Sequence, residues 1–343
     1  MLSGLLLRVT GNGLEVTGTD LDLTIRVEHE AIGIDDGSCV VPARLTADVV
    51  RSLEAGAVTF ESDDEKVEIS SARARFGLRA FPVVEYPALK VPTDESFTLP
   101  RSALVEALRQ VVRAASSDDA RPLLTGVLVT GEAQGVRLVA TDSYRLALRD
   151  IAMPSSFAGH DDVLVPARAL AELQRLSSAG TEQAADADVV SVALGATDIG
   201  FTCGPVHIST RLLEGTYPDY RQLIPDRYPN CLHVGRDTLL GALRRVRLLV
   251  RDNTTPVRLS MRANGVDLTV VSQEVGSASE TVDGDFSGED LVIAFNPSYL
   301  IDGVEAVLDD EVFVETADAA RPATVRGASR GDFRYLLMPV RVS

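Results

Sequence analysis

Short runs of alternating apolar and polar residues fill most of this chain, separated by steps rich in Gly, Asn, Asp and Pro. The clearest stretch begins with FTLP, from Phe97 to Pro100, which reads as a short strand. RSALVEALRQVVRAAS follows, Arg101 to Ser116, with Leu104, Leu108, Val111 and Val112 at helical spacing, and predicts an amphipathic helix. LTGVLVTG and VRLVATD then alternate with period two around Glu132 to Gly135, the pattern of a hairpin. VLVP predicts another strand, leading into a second helix from Ala167 to Ser177. VVSVALG, DIGFTCG and VHISTRLL close the stretch as strands. Strand, helix, strands, helix, strands is an α+β unit with antiparallel sheets and two helices.

The same pattern occurs three times. CVVPARLTADVVRSLEAG from Cys39 returns as VLVPARALAELQRLSSAG from Val163, and GLEVTGTDLDLTIRV from Gly13 returns as GVRLVATDSYRLALR from Gly135. Thr19 to Thr141 is 122 residues and Pro42 to Pro166 is 124. A more diverged third copy carries GVDLTVVSQEVGSAS from Gly265 and LVIAFNPSYLIDGVEAVLDDE from Leu291. The period is far above the ~20–50 residues of solenoid repeats and is domain-sized. Two proline-rich segments beginning Tyr-Pro, Tyr86 to Ser96 and Tyr217 to Pro229, read as linkers. The expected domains are therefore 1–93, 94–227 and 228–343. Met1 aligns with Leu123, so the first copy starts without the opening strand and helix. Leu5, Leu6 and Leu7, with Leu14 and Val16, are then expected to lie bare, making this copy the least stable and weakening any interface it forms.

Composition changes the picture in three places. No run of ~18 apolar residues is present, which argues against a membrane span, and the start lacks the basic region of a signal peptide. Cys39, Cys203 and Cys231 are distant and odd in number, so buried free thiols are expected in place of disulfides or a zinc site. The net charge of −17 argues against nucleic acid, but local distribution sets the field a ligand meets. Of the 33 basic residues only Lys66 and Lys90 are lysine. Arginines recur on predicted helix faces. Arg44 and Arg51 align with Arg168 and Arg175, each pair seven apart, and Arg109 and Arg113 are four apart. Arg244 aligns with Arg109, and Arg247 and Arg251 extend that face. One such face is an ordinary solvated surface; the recurrence in an acidic chain suits phosphate contacts that do not read bases.

Catalytic chemistry is not suggested. His29, His160, His207 and His233 are scattered, and no GxSxG elbow, Walker loop or HExxH occurs. Asp118-Asp119 and Asp161-Asp162 read as solvated turns, and the recurring Asp20 and Asp142 as turn devices at hairpin ends. No catalytic residue, metal ligand or cofactor is expected.

ATDSYRLA (Ala140 to Ala147), EGTYPDYRQLIP (Glu214 to Pro225), FNPSYLID (Phe295 to Asp302) and YLLMPVR (Tyr335 to Arg341) resemble the bacterial sliding clamp, the beta subunit of DNA polymerase III. The resemblance runs through all three copies. It implies three clamp domains per chain, paired head to tail as a homodimeric ring around double-stranded DNA, with the arginine faces on the inner wall. It also implies a pocket for partner peptides of the Gln-Leu-x-Leu-Phe kind. Motif by motif that pocket takes Leu124, then Thr141, Ser143, Tyr144, Arg145 and Leu146, then Pro218, Gln222 and Leu223. Asn296 and Tyr299 follow, with Leu336, Leu337, Met338, Pro339, Val340 and Arg341 from the last strand. Met338 and Leu146 are the expected apolar anchors, and Arg145 and Asn296 the expected polar contacts. Read without the family, YLLMPV is a buried strand and TDSY a turn. The ring interface would set Phe76 and Leu78 against the partner's Leu248 and Leu249. Implied partners are the polymerase III alpha subunit, the clamp loader and other proteins with clamp-binding motifs, in the cytoplasm at the nucleoid.

Three readings follow. The first is a non-catalytic processivity clamp. The second is a specialised clamp paralogue that binds pocket-directed antibiotics or partner peptides and loads poorly on DNA. The third is an enzyme of nucleic-acid metabolism, for which no residue cluster speaks.

Overall fold

The computed structural model describes residues 3–63, 65–87, 92, 97–153, 162–179, 188–225, 227–251, 255–329 and 331–341. Met1, Lys90, the boundary expected near Thr93, His160 and Asp161 lie outside them. Among the described residues there are five α-helices: α1 (Ala43–Ser52), α2 (Arg101–Val111), α3 (Ala167–Ala179), α4 (Arg236–Val246) and α5 (Pro297–Ala306). The first copy carries α1 alone, and the other two carry a pair each. α2 is shorter than its periodicity predicts, because the chain tightens into a 3-10 turn at Val112–Ala114, where two β-branched valines adjoin. α5 begins with the strongest local signal in the chain: Pro297 takes the first helical position, and the Asn296 side chain accepts from the amides of Ser298 and Tyr299.

By its internal contacts the chain forms two compact units, 1–104 with 172–212, and 105–171 with 213–343. The division cuts the second copy. One of its sheets, Val189–Leu194, Asp198–Cys203 and Val206–Arg211 with Phe97–Pro100, extends the first copy's sheet through the pairing of Val206–Arg211 with Leu23–Glu30. That gives eight strands in the first unit, beside a three-stranded sheet of Thr59–Ser62, Lys66–Ser71 and Ala74–Arg79. The other sheet of the second copy extends the third copy's sheet. Arg145–Ala152 pairs with Phe333–Leu337, giving nine strands in the second unit beside a four-stranded sheet. Neighbouring copies thus share backbone ladders, which linker-like segments at the copy boundaries gave no hint of.

The hairpin ends behave as their Thr-Asp steps predict. Thr19 and Thr141 donate to the carbonyls of Leu23 and Arg145, and Asp20 and Asp142 accept two backbone amides each. The following residues, Leu21 and Ser143, have φ of 81° and 79°, in the left-handed region. The two Asx turns fix a backbone conformation that leucine would otherwise avoid.

The bare sheet expected in the first copy needs correction. Successive strand residues point to opposite faces, so Leu5, Leu6 and Leu7 do not share one. Leu6 packs with Val40 and Tyr86, whose hydroxyl donates to the Thr17 carbonyl. Leu7 is buried with Val49 of α1 and with Val67, Ile69 and Leu78 of the three-stranded sheet, leaving Leu5, Leu14 and Val16 half-buried. Cys39 and Cys203 are buried free thiols, as expected, whereas Cys231 is only half-buried.

Candidate functional site

The residues named by the resemblance as a peptide pocket all fall in the second unit. They gather where Arg145–Ala152 meets Phe333–Leu337, in the register Arg145↔Leu337 and Leu146↔Leu336. The join continues past the strand end: Met338 donates its amide to the Tyr144 carbonyl at 2.8 Å, and Val340 donates to Ala294 at 2.7 Å. The C-terminal segment is therefore clamped on one side by the Asp142 turn and on the other by the strand that leads into α5.

Arg145 sits at the centre. Its Nε donates to Asp142 Oδ2 at 3.0 Å, its Nη1 donates to Asp302, and its guanidinium stacks 4.4 Å from the Tyr299 ring centre. Tyr335, fully buried, donates its hydroxyl to the Tyr299 carbonyl at 3.0 Å. Burial opposes the Arg145 charge, but Tyr335, Asp142 and Asp302 together hold its pKa above the ordinary value. Burial also raises the Tyr335 pKa, which keeps that hydroxyl a donor. Both Arg145 and Asn296, the expected polar contacts, also have partners within the chain. Arg145 pairs with two carboxylates and stacks on a ring, and the Asn296 side-chain Oδ1 caps α5, so both support the surface from within. Asp142, Asp302 and Tyr335 are missing from the expected set. Asp302 had a readable signal, since it stands three residues after Tyr299 and so on the same helix face.

The pocket set divides by exposure. Leu124, Thr141, Leu146, Leu336 and Leu337 are buried, and Leu146 is only 2% exposed. Leu146 and Leu336 belong to one apolar cluster with Leu128, Val139, Leu148, Leu164 and Tyr220, against which Leu123, Leu213, Tyr217 and Ile224 pack. The Tyr-Pro segment is thus docked on this cluster and includes a 3-10 turn at Tyr220–Leu223, so it is no loose linker. Ser143, Tyr144, Pro218, Gln222, Leu223, Met338 and Arg341 are exposed, and Arg145, Asn296, Tyr299, Pro339 and Val340 are half-buried. Leu146 as a direct anchor is therefore corrected: it is core. Leu223 and Met338, each next in sequence to a half-buried or buried neighbour, Ile224 and Leu337, are exposed.

Of the arginines, Arg44, Arg51, Arg109, Arg168, Arg175, Arg244, Arg247 and Arg251 are exposed, and Arg113 is half-buried. Arg51 and Arg175 form i,i+3 pairs with Asp48 and Glu172. The structure brings Arg113 and Arg244 together across Glu305 of α5, at 3.1 and 2.6 Å. Burial pushes the Glu305 pKa up, but Arg113 and Arg244 outweigh it and hold it below the ordinary value. Arg113 also lies 3.8 Å from Asp302. Asp302 and Glu305 thus link Arg145, expected in the pocket, to Arg113 and Arg244, expected to contact phosphate.

Of the interface residues, Leu248 is 77% exposed and Leu249 half-buried. Leu78 is only 7% exposed and packs in its own core, which corrects its reading as a docking residue, while Phe76 is half-buried. Among the described residues no cluster of His, Cys, Asp and Glu could hold a metal ion. No described helix is long and apolar enough to cross a membrane.

Family models of the DNA polymerase III beta subunit match in chain order: the N-terminal domain over 1–90, the central domain over 98–219 and the C-terminal domain over 221–341. The chain belongs to the beta sliding clamp family. It is 33% identical to the beta sliding clamp of Streptomyces coelicolor, over all of this chain and 92% of that one. It is 32% identical to the beta sliding clamp homolog GriR of Streptomyces muensis, over 99% of this chain and 92% of that one. Among solved structures, the clamp of Bartonella birtlesii bound to griselimycin superposes with a TM-score of 0.92 at 31% identity, covering 99% of this chain and 92% of that one. The family accounts for the three-domain α+β fold with antiparallel sheets, and its members are non-catalytic processivity factors of DNA replication.

The exposure split carries a prediction for this clamp. Leu146→Ala should cost about 2–5 kcal/mol of stability, the range for emptying a packed core site. Met338→Ala should stay within about 0.5 kcal/mol, as for a surface change. Chemical denaturation of the two variants measures the difference.

Proposed function

We propose that this clamp encircles duplex DNA as a head-to-tail dimer and tethers polymerase and other replication proteins through short peptides. The peptides would dock on the surface around Met338, Leu223, Tyr144 and Tyr299. The observation that carries this reading is the packed junction of the Arg145 strand, the Tyr335 strand and α5, which holds an apolar surface rigid from beneath. A rigid surface loses little entropy on binding, and adaptable Met and Leu side chains suit extended peptides. The domain limits 1–93, 94–227 and 228–343, and a nucleoid location, belong to the same reading.

For the ring, two strand edges support the arrangement. Ala74–Arg79 ends the three-stranded sheet and Gly276–Asp283 ends the four-stranded sheet. Unpaired edges are templates for another chain. Phe76 lies on the first edge, and the exposed Leu248 belongs to a short turn packed beside the second. Phe76 with Leu248 and Leu249 would be the contact. For DNA, the exposed arginines give contacts to phosphate without base readout. Arg113 and Arg244 are already shared with Glu305, so that carboxylate competes with a phosphate for them.

A specialised paralogue is the second reading, favoured by the likeness to the Streptomyces muensis homolog. Poor retention on circular DNA beside tight griselimycin binding would select it.

Three outcomes test the main reading. A fluorescent Gln-Leu-x-Leu-Phe peptide should bind, and Met338→Ala with Leu223→Ala should weaken it at least tenfold while the melting curve holds, since affinity concentrates in a few anchors. Equal affinity in parent and variant would remove the site from this surface. For DNA, Glu305→Gln should strengthen binding at low salt and steepen the dependence of log K on log salt by about one phosphate contact. Arg168→Glu with Arg175→Glu should do the reverse, with no change in sequence preference. For the ring, sedimentation should give a concentration-dependent dimer, and Leu248→Asp a monomer.

A further inference from the structure

Away from the peptide surface, a small cavity in the second unit is lined by Gln110, Arg149, Val307, Leu308, Asp309, Gly327, Asp332 and Phe333. Gln110 is 1% exposed and Arg149 4%. Gln110 Nε2 donates to the Ala306 carbonyl at the end of α5, at 2.7 Å, which fixes the amide so that Oε1 is left over. Arg149 Nη2 donates to Glu106 of α2 at 2.7 Å. Its Nη1 lies 2.8 Å from Asp332 Oδ1, close enough for ion pairing, but without hydrogen-bond alignment. Gln110 Oε1, Arg149 Nε and Nη1, and Asp332 Oδ1 therefore remain without a hydrogen-bond partner from the protein. Buried polar groups are rarely left so, because each unmade bond costs a full desolvation.

We propose that this cavity is a binding site for one structural water that joins α2, α5 and the loop before the last strand. The chemistry of the leftover atoms selects the occupant. Two are acceptors, Gln110 Oε1 and Asp332 Oδ1, and the Arg149 N–H groups are donors. Water matches them by donating to both acceptors and accepting from one or both Arg149 nitrogens, within the range of about two to four bonds for a buried water. An anion would face the carboxylates of Asp332 and Asp309. A monovalent cation would face the Arg149 guanidinium. Asp309 is engaged elsewhere, accepting from the Ser329 amide and hydroxyl at 3.0 and 2.9 Å. Val307, Leu308, Gly327 and Phe333 complete the lining.

A crystal structure of the whole chain at about 1.5 Å resolution tests this, with bromide and rubidium soaks read by anomalous scattering. The expected result is a full-occupancy peak about 2.7–3.2 Å from Gln110 Oε1, Asp332 Oδ1 and an Arg149 nitrogen, with no anomalous signal. Anomalous signal in the cavity would make it an ion site and overturn the proposal. So would a cavity without density in which Arg149 donates directly to Gln110 Oε1. Val307→Ile, solved the same way to show its added methyl in the cavity, reads the energetics. Displacing a bound water strands its partners and should lower the thermal midpoint by about 2 °C or more. A raised midpoint would mean that the methyl had filled a dry void, and would overturn the proposal too.

Discussion

The pairing of Arg145–Ala152 with Phe333–Leu337 is the contact on which the second unit of this molecule rests. It joins strands from the second and third copies, and it sets the register Leu146↔Leu336 that buries both side chains in one cluster. A slip of one residue would turn Tyr335 and Leu337 to the face now held by Leu336. Tyr335 would lose the Tyr299 carbonyl, and Arg145 would lose its place between Asp142 and Asp302. The Tyr-Pro segment would lose the cluster on which Tyr217, Tyr220 and Ile224 rest. The exposed surface around Met338, helix α5 and the C-terminal segment therefore stand or fall with one ladder.

Much of this architecture was legible in the sequence because it is locally encoded. Period-two runs bounded by turn residues gave the strands, and helical spacing of Leu104, Leu108 and Val111 gave α2. The Thr-Asp steps gave turns whose geometry is the same in two copies, down to the positive φ at Leu21 and Ser143. The family followed from four motifs, each of which lies at a junction or turn that the fold needs. What stayed hidden was set at long range. No local signal says that Leu23–Glu30 pairs with Val206–Arg211, or that the second copy lends one sheet to each neighbour. Exposure was hidden for the same reason. Leu146, Leu223, Leu78 and Leu248 are alike in sequence, yet a cross-strand neighbour or its absence makes two of them core and two of them surface.

Charge tells a related story. The chain carries 50 acidic and 33 basic residues, so an arginine face can persist only where the carboxylates around it are held in place. Asp48 and Glu172 do this on α1 and α3, and Glu305 does it between α2 and α4. Most of these pairs are exposed and contribute little to stability. Their effect is on the field: each carboxylate screens an arginine until a stronger anion takes its place.

Arg145 is the opposite case, and the contrast separates the two surfaces. It is half-buried, stacked on Tyr299 and shared by Asp142 and Asp302, so removing either carboxylate would leave a partly desolvated charge short of a partner. Such a group is costly to move. It fixes the angle between the Asp142 turn and α5, and so the spacing of Tyr144 from Tyr299 above it. Because Asp302 lies one helical turn before Glu305, the knot around Arg145 and the exchangeable pairs of the arginine face share α5 as a common support. A displacement of that helix large enough to release Glu305 from Arg113 would have to break the Arg145–Asp302 bond or carry it along. The stiffness that preorganises one surface thereby limits how far the other can rearrange.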